Sequence, residues 1–218
     1  MAEKQIMRSM RWSLALAVVA VVMVGGMTVR AASKKPYPVP NMLRHGWQLQ
    51  FVWHKPKQIF AATGHGVHRR LRKYWILRYT VINNTHRDIF FIPTFVLVTD
   101  TGKVLKPVAG LSPRILKRIR QVTGDPFIIS PGLIVGRLLQ GADNAKDGVA
   151  VFAKVPSNAR RYTFFISGLS GDTAVQKDPL TNKNIVLHKT LVLNFWNPGE
   201  ASRISPNPQF AGKKWVMR

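Results

Sequence analysis

Two β-prone runs joined by a short polar segment, all within Tyr74–Thr99, constrain this chain more than any other stretch. In the first run Trp75, Leu77, Tyr79 and Val81 fall on one face and Arg78 and Thr80 on the other, the alternation of a half-buried strand. The joining segment, Asn83-Asn84-Thr85-His86-Arg87-Asp88, is turn chemistry. Asparagine side chains bond to nearby backbone and tolerate positive φ, so a hairpin is expected. The second run, Ile89–Thr99, is apolar on both faces and interrupted by Pro93. Proline donates nothing to a ladder, so an edge strand or a bulge is expected there.

The amino terminus reads as an export signal. Lys4, Arg8 and Arg11 precede Trp12–Val29, an uncharged run, and Val29-Arg30-Ala31 offers small residues at the positions a signal peptidase reads. Residues 1–31 are therefore expected to be a signal peptide. The run also touches the lower length limit of a membrane span, so a retained signal anchor is the alternative. Either way the bulk of the chain faces outward, in the periplasm or outside the cell. Residues 32–46 form an extended linker with Pro36, Pro38 and Pro40.

From Trp47 onward the strand signals recur. Trp47, Leu49, Phe51 and Trp53 alternate on one face, and His54–Lys73, without sustained period, reads as a long basic loop. A turn at Asp100–Lys103 leads into Val104–Val108. Ser112 is placed as an N-cap and Pro113 as first helical residue, with Ile115, Ile119 and Val122 on one side and Gly124 as the stop. Strands over Phe127–Ser130 and Leu133–Leu139 bracket a Pro131-Gly132 turn, and 141–148 reads as a polar loop. Val149–Val155, Tyr162–Ser167 and Ile185–Trp196 complete the strands, and 197–218 reads as a mostly irregular basic tail in which Trp215-Val216-Met217 docks on the body. The expected fold is mainly β: a single immunoglobulin-like β-sandwich of about eight strands over 47–196, with one short inserted amphipathic helix.

The run YWILRYTVINNTHRDIFFIP (residues 74–93), followed by TDTGKV (99–104), GVAVF (148–152) and FFISGLSG (164–171), resembles bacterial exported immunoglobulin-like β-sandwich domains of unknown function. In those a Y-x-V-x-N strand, here Tyr79, Val81 and Asn83, precedes a polar turn and a second strand ending near proline. The resemblance covers Trp47–Trp196 and implies a fold; it brings no catalytic residues. The inserted helix and the extreme basicity depart from a plain domain of that type.

Charge carries the functional signal. Lys plus Arg number 33 against 9 acids, a net +24, and loss of Lys4, Arg8, Arg11, Arg30 and Glu3 with the signal segment would leave +21. Such a field attracts anionic polymers or lipid surfaces. Two clusters stand out, Arg69, Arg70, Arg72 and Lys73 on the expected loop and Arg114, Lys117, Arg118 and Arg120 on the helix, and together they form the candidate anion-binding surface. Export disfavours nucleic acid, and the aromatics do not interleave with these cations along the chain. Anionic envelope lipid or polysaccharide is the expected partner, with a merely solvated basic surface as the bland alternative.

Other chemistries find less support. The chain has no cysteine, which excludes disulfides, thiolate metal sites and cysteine nucleophiles. His65-Gly66-Val67-His68, with His45 and His54 nearby, could serve a periplasmic metal-handling protein, but from residue 32 to Asp88 there is no acid amid eleven Lys and Arg. Asp143–Gly148 lacks calcium-loop spacing, and Lys146 sits within it. No nucleophile elbow, P-loop or dinucleotide fingerprint occurs, and Ser167-Gly168-Leu169-Ser170-Gly171 reads as a strand-exit turn. A hydrolase with an unrecognised site is the remaining alternative to a non-catalytic binding or structural module. No cofactor, metal or catalytic residue is assigned.

Overall fold

The structure, a computed structural model, describes residues 41–43, 46–64, 70–198 and 208–218. The expected signal segment, the linker as far as Pro40, and Arg69 lie outside the described residues. In chain order the strands are β1 (Asn41–Leu43), β2 (Gln50–Trp53), β3 (Lys57–Thr63), β4 (Arg70–Asn83), β5 (Ile89–Phe91), β6 (Thr94–Thr99) and β7 (Val104–Leu105). After helices α1 (Pro113–Thr123) and α2 (Pro131–Ile134) come β8 (Gly136–Leu138), β9 (Gly141–Ala153), β10 (Arg161–Ser167), β11 (Thr173–Lys177), β12 (Asn184–Trp196) and β13 (Gln209–Met217). The protein is mainly β, with thirteen strands among the described residues where about eight were expected.

β4 organises the first sheet. β9 pairs antiparallel with it from Tyr74 to Val81, so β2 and β3, which overlap that range, must share its other side. Trp53 pairs with Tyr79 and Lys57 with Ile76, which sets residues 54–56 against 77 and 78 and makes a bulge where Pro56 has no N–H to offer. β12 organises the second sheet, flanked by β10 on one side and β13 on the other. Lys189 N–H donates to Asp172 O (3.0 Å) whereas His188 exchanges bonds with Arg218, so β11 lies on the β10 side. β6 and β7 extend that sheet beyond β10, β1 pairs with β11, and β5 and β8 form a separate ribbon.

The inner faces of the two sheets meet. Trp75, Leu77, Tyr79 and Val81 are buried against Phe95, Leu97, Tyr162, Phe164 and Leu193. Ring pairs span the gap, Tyr79–Phe95 at 5.0 Å and Trp75–Tyr162 at 4.7 Å between centroids. The alternation expected for β4 is therefore present. The hairpin is not: β4 pairs with β2, β3 and β9, whereas β6 pairs with β10 and β7 in the opposite layer. Each run has one apolar face to bury, and crossing between layers lets those faces bury each other. Asn83 holds the crossing. Its Nδ2 donates to Arg87 O (2.8 Å) and Leu138 O (2.9 Å), and its Oδ1 accepts from Thr85. Pro93 breaks the second run into β5 and β6.

Other expectations change. Pro131–Ile134, expected as a turn entering a strand, is the helix α2; of Phe127–Ser130 only Ile129 bridges a neighbour, and the strand after the helix is Gly136–Leu138 alone. The basic loop 54–73 contains β3 and the start of β4, because Ile59 and Ala61 have an outer apolar layer to enter. The polar loop 141–148 is the first half of β9, where Thr80 donates to the Asp147 carboxylate across the pair. Asn41–Leu43 of the linker pairs with β11. Within the tail, Gln209–Met217 is β13, which covers an edge that β12 would otherwise expose.

The helix follows its sequence signals. Ser112 Oγ accepts from Ile115 N–H, Pro113 opens α1, and Gly124 closes it with φ 69°. Ile115 and Ile119 pack against Ile59, Tyr74, Ile76, Val149 and Val151 on the outer face of the β4 sheet, so β4 is buried on both faces; Val122 is exposed. Among the described residues no helix is long and apolar enough to cross a membrane.

Candidate functional site

The α1 face is where the two basic clusters meet. Antiparallel partners share a face, and Arg70 is opposite Thr63, Arg72 opposite Ala61 and Tyr74 opposite Ile59. Since Ile59, Ala61 and Tyr74 lie under α1, Arg70 and Arg72 belong to the same face as the helix, where both are exposed. Lys73 is opposite Phe60 and turns to the other face. Arg114 reaches back from the first turn of α1, its Nη1 donating to Gly64 O (3.0 Å), and so joins the helix to the end of β3. A cation in the first turn opposes the helix dipole, and that turn carries no acid.

Lys117 and Arg118 are exposed on α1. Arg120 is different: its Nε and Nη2 both donate to Ile128 O (3.1 and 2.8 Å), so it clamps the segment after the helix. Thus Arg70, Arg72, Arg114, Lys117 and Arg118 share one face, Lys73 is turned away, and Arg120 has a structural partner. None of the described candidates takes part in an ion pair; the pairs among the described residues are Arg78–Asp125, Arg137–Asp88 and Lys189–Asp172.

One member of this face escapes sequence reasoning. Arg78, expected as a surface residue, is half-buried beneath the carboxyl end of α1. Its Nη1 donates to Thr123 O (3.2 Å), its Nη2 lies 3.3 Å from His54 Nε2, and Asp125 is 3.6 Å away. Burial first, then the Arg78 charge, hold the His54 imidazole below its ordinary range, so the ring accepts from the guanidinium. His54, Lys55, Lys57 and Arg78 line a cavity of about 220 Å³. The only sequence hint of Arg78's role was a cation in mid-strand.

Aromatic residues and cations also interleave, against the expectation from chain order. Lys213 Nζ lies 5.2 Å from the Trp53 ring, Lys189 Nζ 5.4 Å from Trp215, and Arg218 Cζ 4.3 Å from Phe165. Trp53, Trp215 and Lys213 line a cavity of about 340 Å³ along the seam between the sheets, with Gln48, Gln50 and Asn84. These partners are far apart in sequence.

The remaining motifs have local roles. Ser170 Oγ donates to Trp47 O (3.1 Å) and accepts from Asp172 N–H (3.1 Å). Gly171 sits where any Cβ would overlap the Trp47 indole, so the serine-glycine run closes the corner between β10 and β11. His45, His65 and His68 lie outside the described residues, and among the described residues no three His, Cys, Asp or Glu gather as a metal site. No family model, curated protein or solved structure matches this chain.

Proposed function

We propose that the protein is an exported, non-catalytic immunoglobulin-like β-sandwich that uses its α1 face to contact anionic polymers or lipids of the cell envelope. The face-to-face sheets support the sandwich class, and the basic stretch ahead of Trp12–Val29 supports export. The observation that carries the reading is the convergence of Arg70, Arg72 and Arg114, from two distant segments, with none of them neutralised by an ion pair among the described residues. Their attraction is long-ranged and screened over about 8 Å at physiological salt.

Co-sedimentation with anionic vesicles and with lipopolysaccharide, each at low and high salt, tests it and separates lipid from polysaccharide. Arg70→Ser, Arg72→Ser and Arg114→Ser together should lower affinity and flatten its salt dependence, because fewer counterions are released. Absence of binding at low salt, or binding unchanged by the triple substitution, overturns the proposal.

A further inference from the structure

A separate cavity of about 570 Å³ lies where β10, β12 and β13 meet, on the sheet that does not carry α1. Its volume is that of an ordinary small-ligand site. Arg160, Arg161, Thr163, Asn194, Trp196 and Asn197 line it, and no acid does among the described residues. Arg161 is directly opposite Trp196, and Thr163 opposite Asn194, joined by a hydrogen bond of 3.0 Å. The register of β12 and β13 shifts between Asn194 and Phe195, leaving Ala211 as an extra residue at the cavity wall.

Asn197 ties the cavity lining to the core. It is 4% exposed, and its Oδ1 is buried with no hydrogen-bond partner among the described residues. Its orientation follows from Tyr162. That phenol, pushed up to about 12 mainly by burial, keeps its single proton and donates it to Ala159 O (2.7 Å). It therefore accepts from Asn197 Nδ2 (2.9 Å), which leaves Oδ1 as the unsatisfied group. That acceptor is shut off from solvent on the side of the core, so the lining open to a ligand is Arg160, Arg161, Thr163, Asn194 and Trp196.

We propose that this cavity binds an acidic saccharide: a ring carboxylate on the Arg161 and Arg160 guanidinium groups, and the ring face against the exposed Trp196 indole. Arginine forks match carboxylates bidentately, and an indole offers a flat apolar face. The opposed placement of Arg161 and Trp196 favours a sugar acid over a nucleotide. In a uronic acid the carboxylate is attached to the ring that stacks, whereas a nucleotide's phosphate is separated from its base by the ribose. The site shares no residue with the α1 face and stands whether or not that face binds polymers.

Calorimetry of the full-length protein with a galacturonic acid trisaccharide, the matching neutral galactose trisaccharide and a dinucleotide tests the assignment. The acidic sugar should bind at least tenfold more tightly than the other two. Arg161→Gln, at an exposed position, should weaken it at least tenfold while the unfolding midpoint stays in place, and Trp196→Ala should weaken it at least tenfold with the chain still folded by circular dichroism. Arg70→Ser with Arg72→Ser and Arg114→Ser should leave it unchanged, which separates this site from the α1 face. Equal binding of the neutral sugar, tighter binding of the dinucleotide, no binding of the acidic sugar, or indifference to both cavity substitutions overturns the proposal.

Discussion

Replacing Arg78 by alanine separates a mere surface strand residue from a tie between layers. On β4's outer face alone the substitution would fall within the few tenths of a kcal/mol typical of surface changes. The structure sets a larger value. The Arg78 side chain is 21% exposed and donates to Thr123 O, at the end of α1, a charged hydrogen bond of about 1.5–3 kcal/mol. The contact to Asp125 is long at 3.6 Å and adds up to about 1 kcal/mol. Asp125 keeps the Phe127 N–H after the loss, which softens the cost. A net destabilisation of about 2 kcal/mol follows. With a urea slope of about 2 kcal/mol per molar, the midpoint should fall by about 1 M. Leu77→Ala, at a fully buried position, should cost about 3–5 kcal/mol and move it further. Arg118→Ala, exposed on α1, should leave it in place. Amide exchange read in parallel should show protection lost first in α1. If Arg78→Ala shifts the midpoint no more than Arg118→Ala, or leaves α1 protection intact, the tie is not energetic and the reasoning fails.

Two further outcomes follow from the same contacts. The His54 imidazole should titrate below 6.5 in a proton NMR series. Because its folded value is depressed, its contribution to stability is full above 6.5 and is lost as pH falls through the folded midpoint; a midpoint at or above 6.5 would refute the Arg78 contact as its neighbour. Ending the chain before Gln209 removes β13 and exposes the β12 edge. The shortened protein should melt at lower temperature and self-associate on sizing columns, and an unchanged melt would show that β13 contributes little.

Much of this molecule is legible residue by residue. The Ser112 cap, Pro113 at the start, Gly124 at the end and the isoleucine spacing specify α1 through contacts a few residues apart. The alternation of Trp75, Leu77, Tyr79 and Val81 likewise specifies which face of β4 turns inward. What the local pattern does not contain is the identity of the partner. Asn83–Asp88 has hairpin chemistry, yet β4 and β6 part into opposite layers because each needs the other's apolar face. Lys57–Thr63 looks aperiodic because its outer neighbours, Ile115 and Ile119, lie some fifty residues on. Gln209–Met217 looks like a tail because its strand character comes from β12's unpaired edge. The candidate sites divide in the same way. The basic clusters can be counted in the chain, but their meeting through Arg114 and Gly64, the burial of Arg78, and the cavity around Asn197 depend on segments 35 to 50 residues apart. Sequence alone determined the inward face of β4, the helix α1 and its ends, and the excess of positive charge, since each follows from neighbouring side chains. Tertiary structure decided which strands pair and which cations share a face, because burial and hydrogen bonding are satisfied across the whole fold.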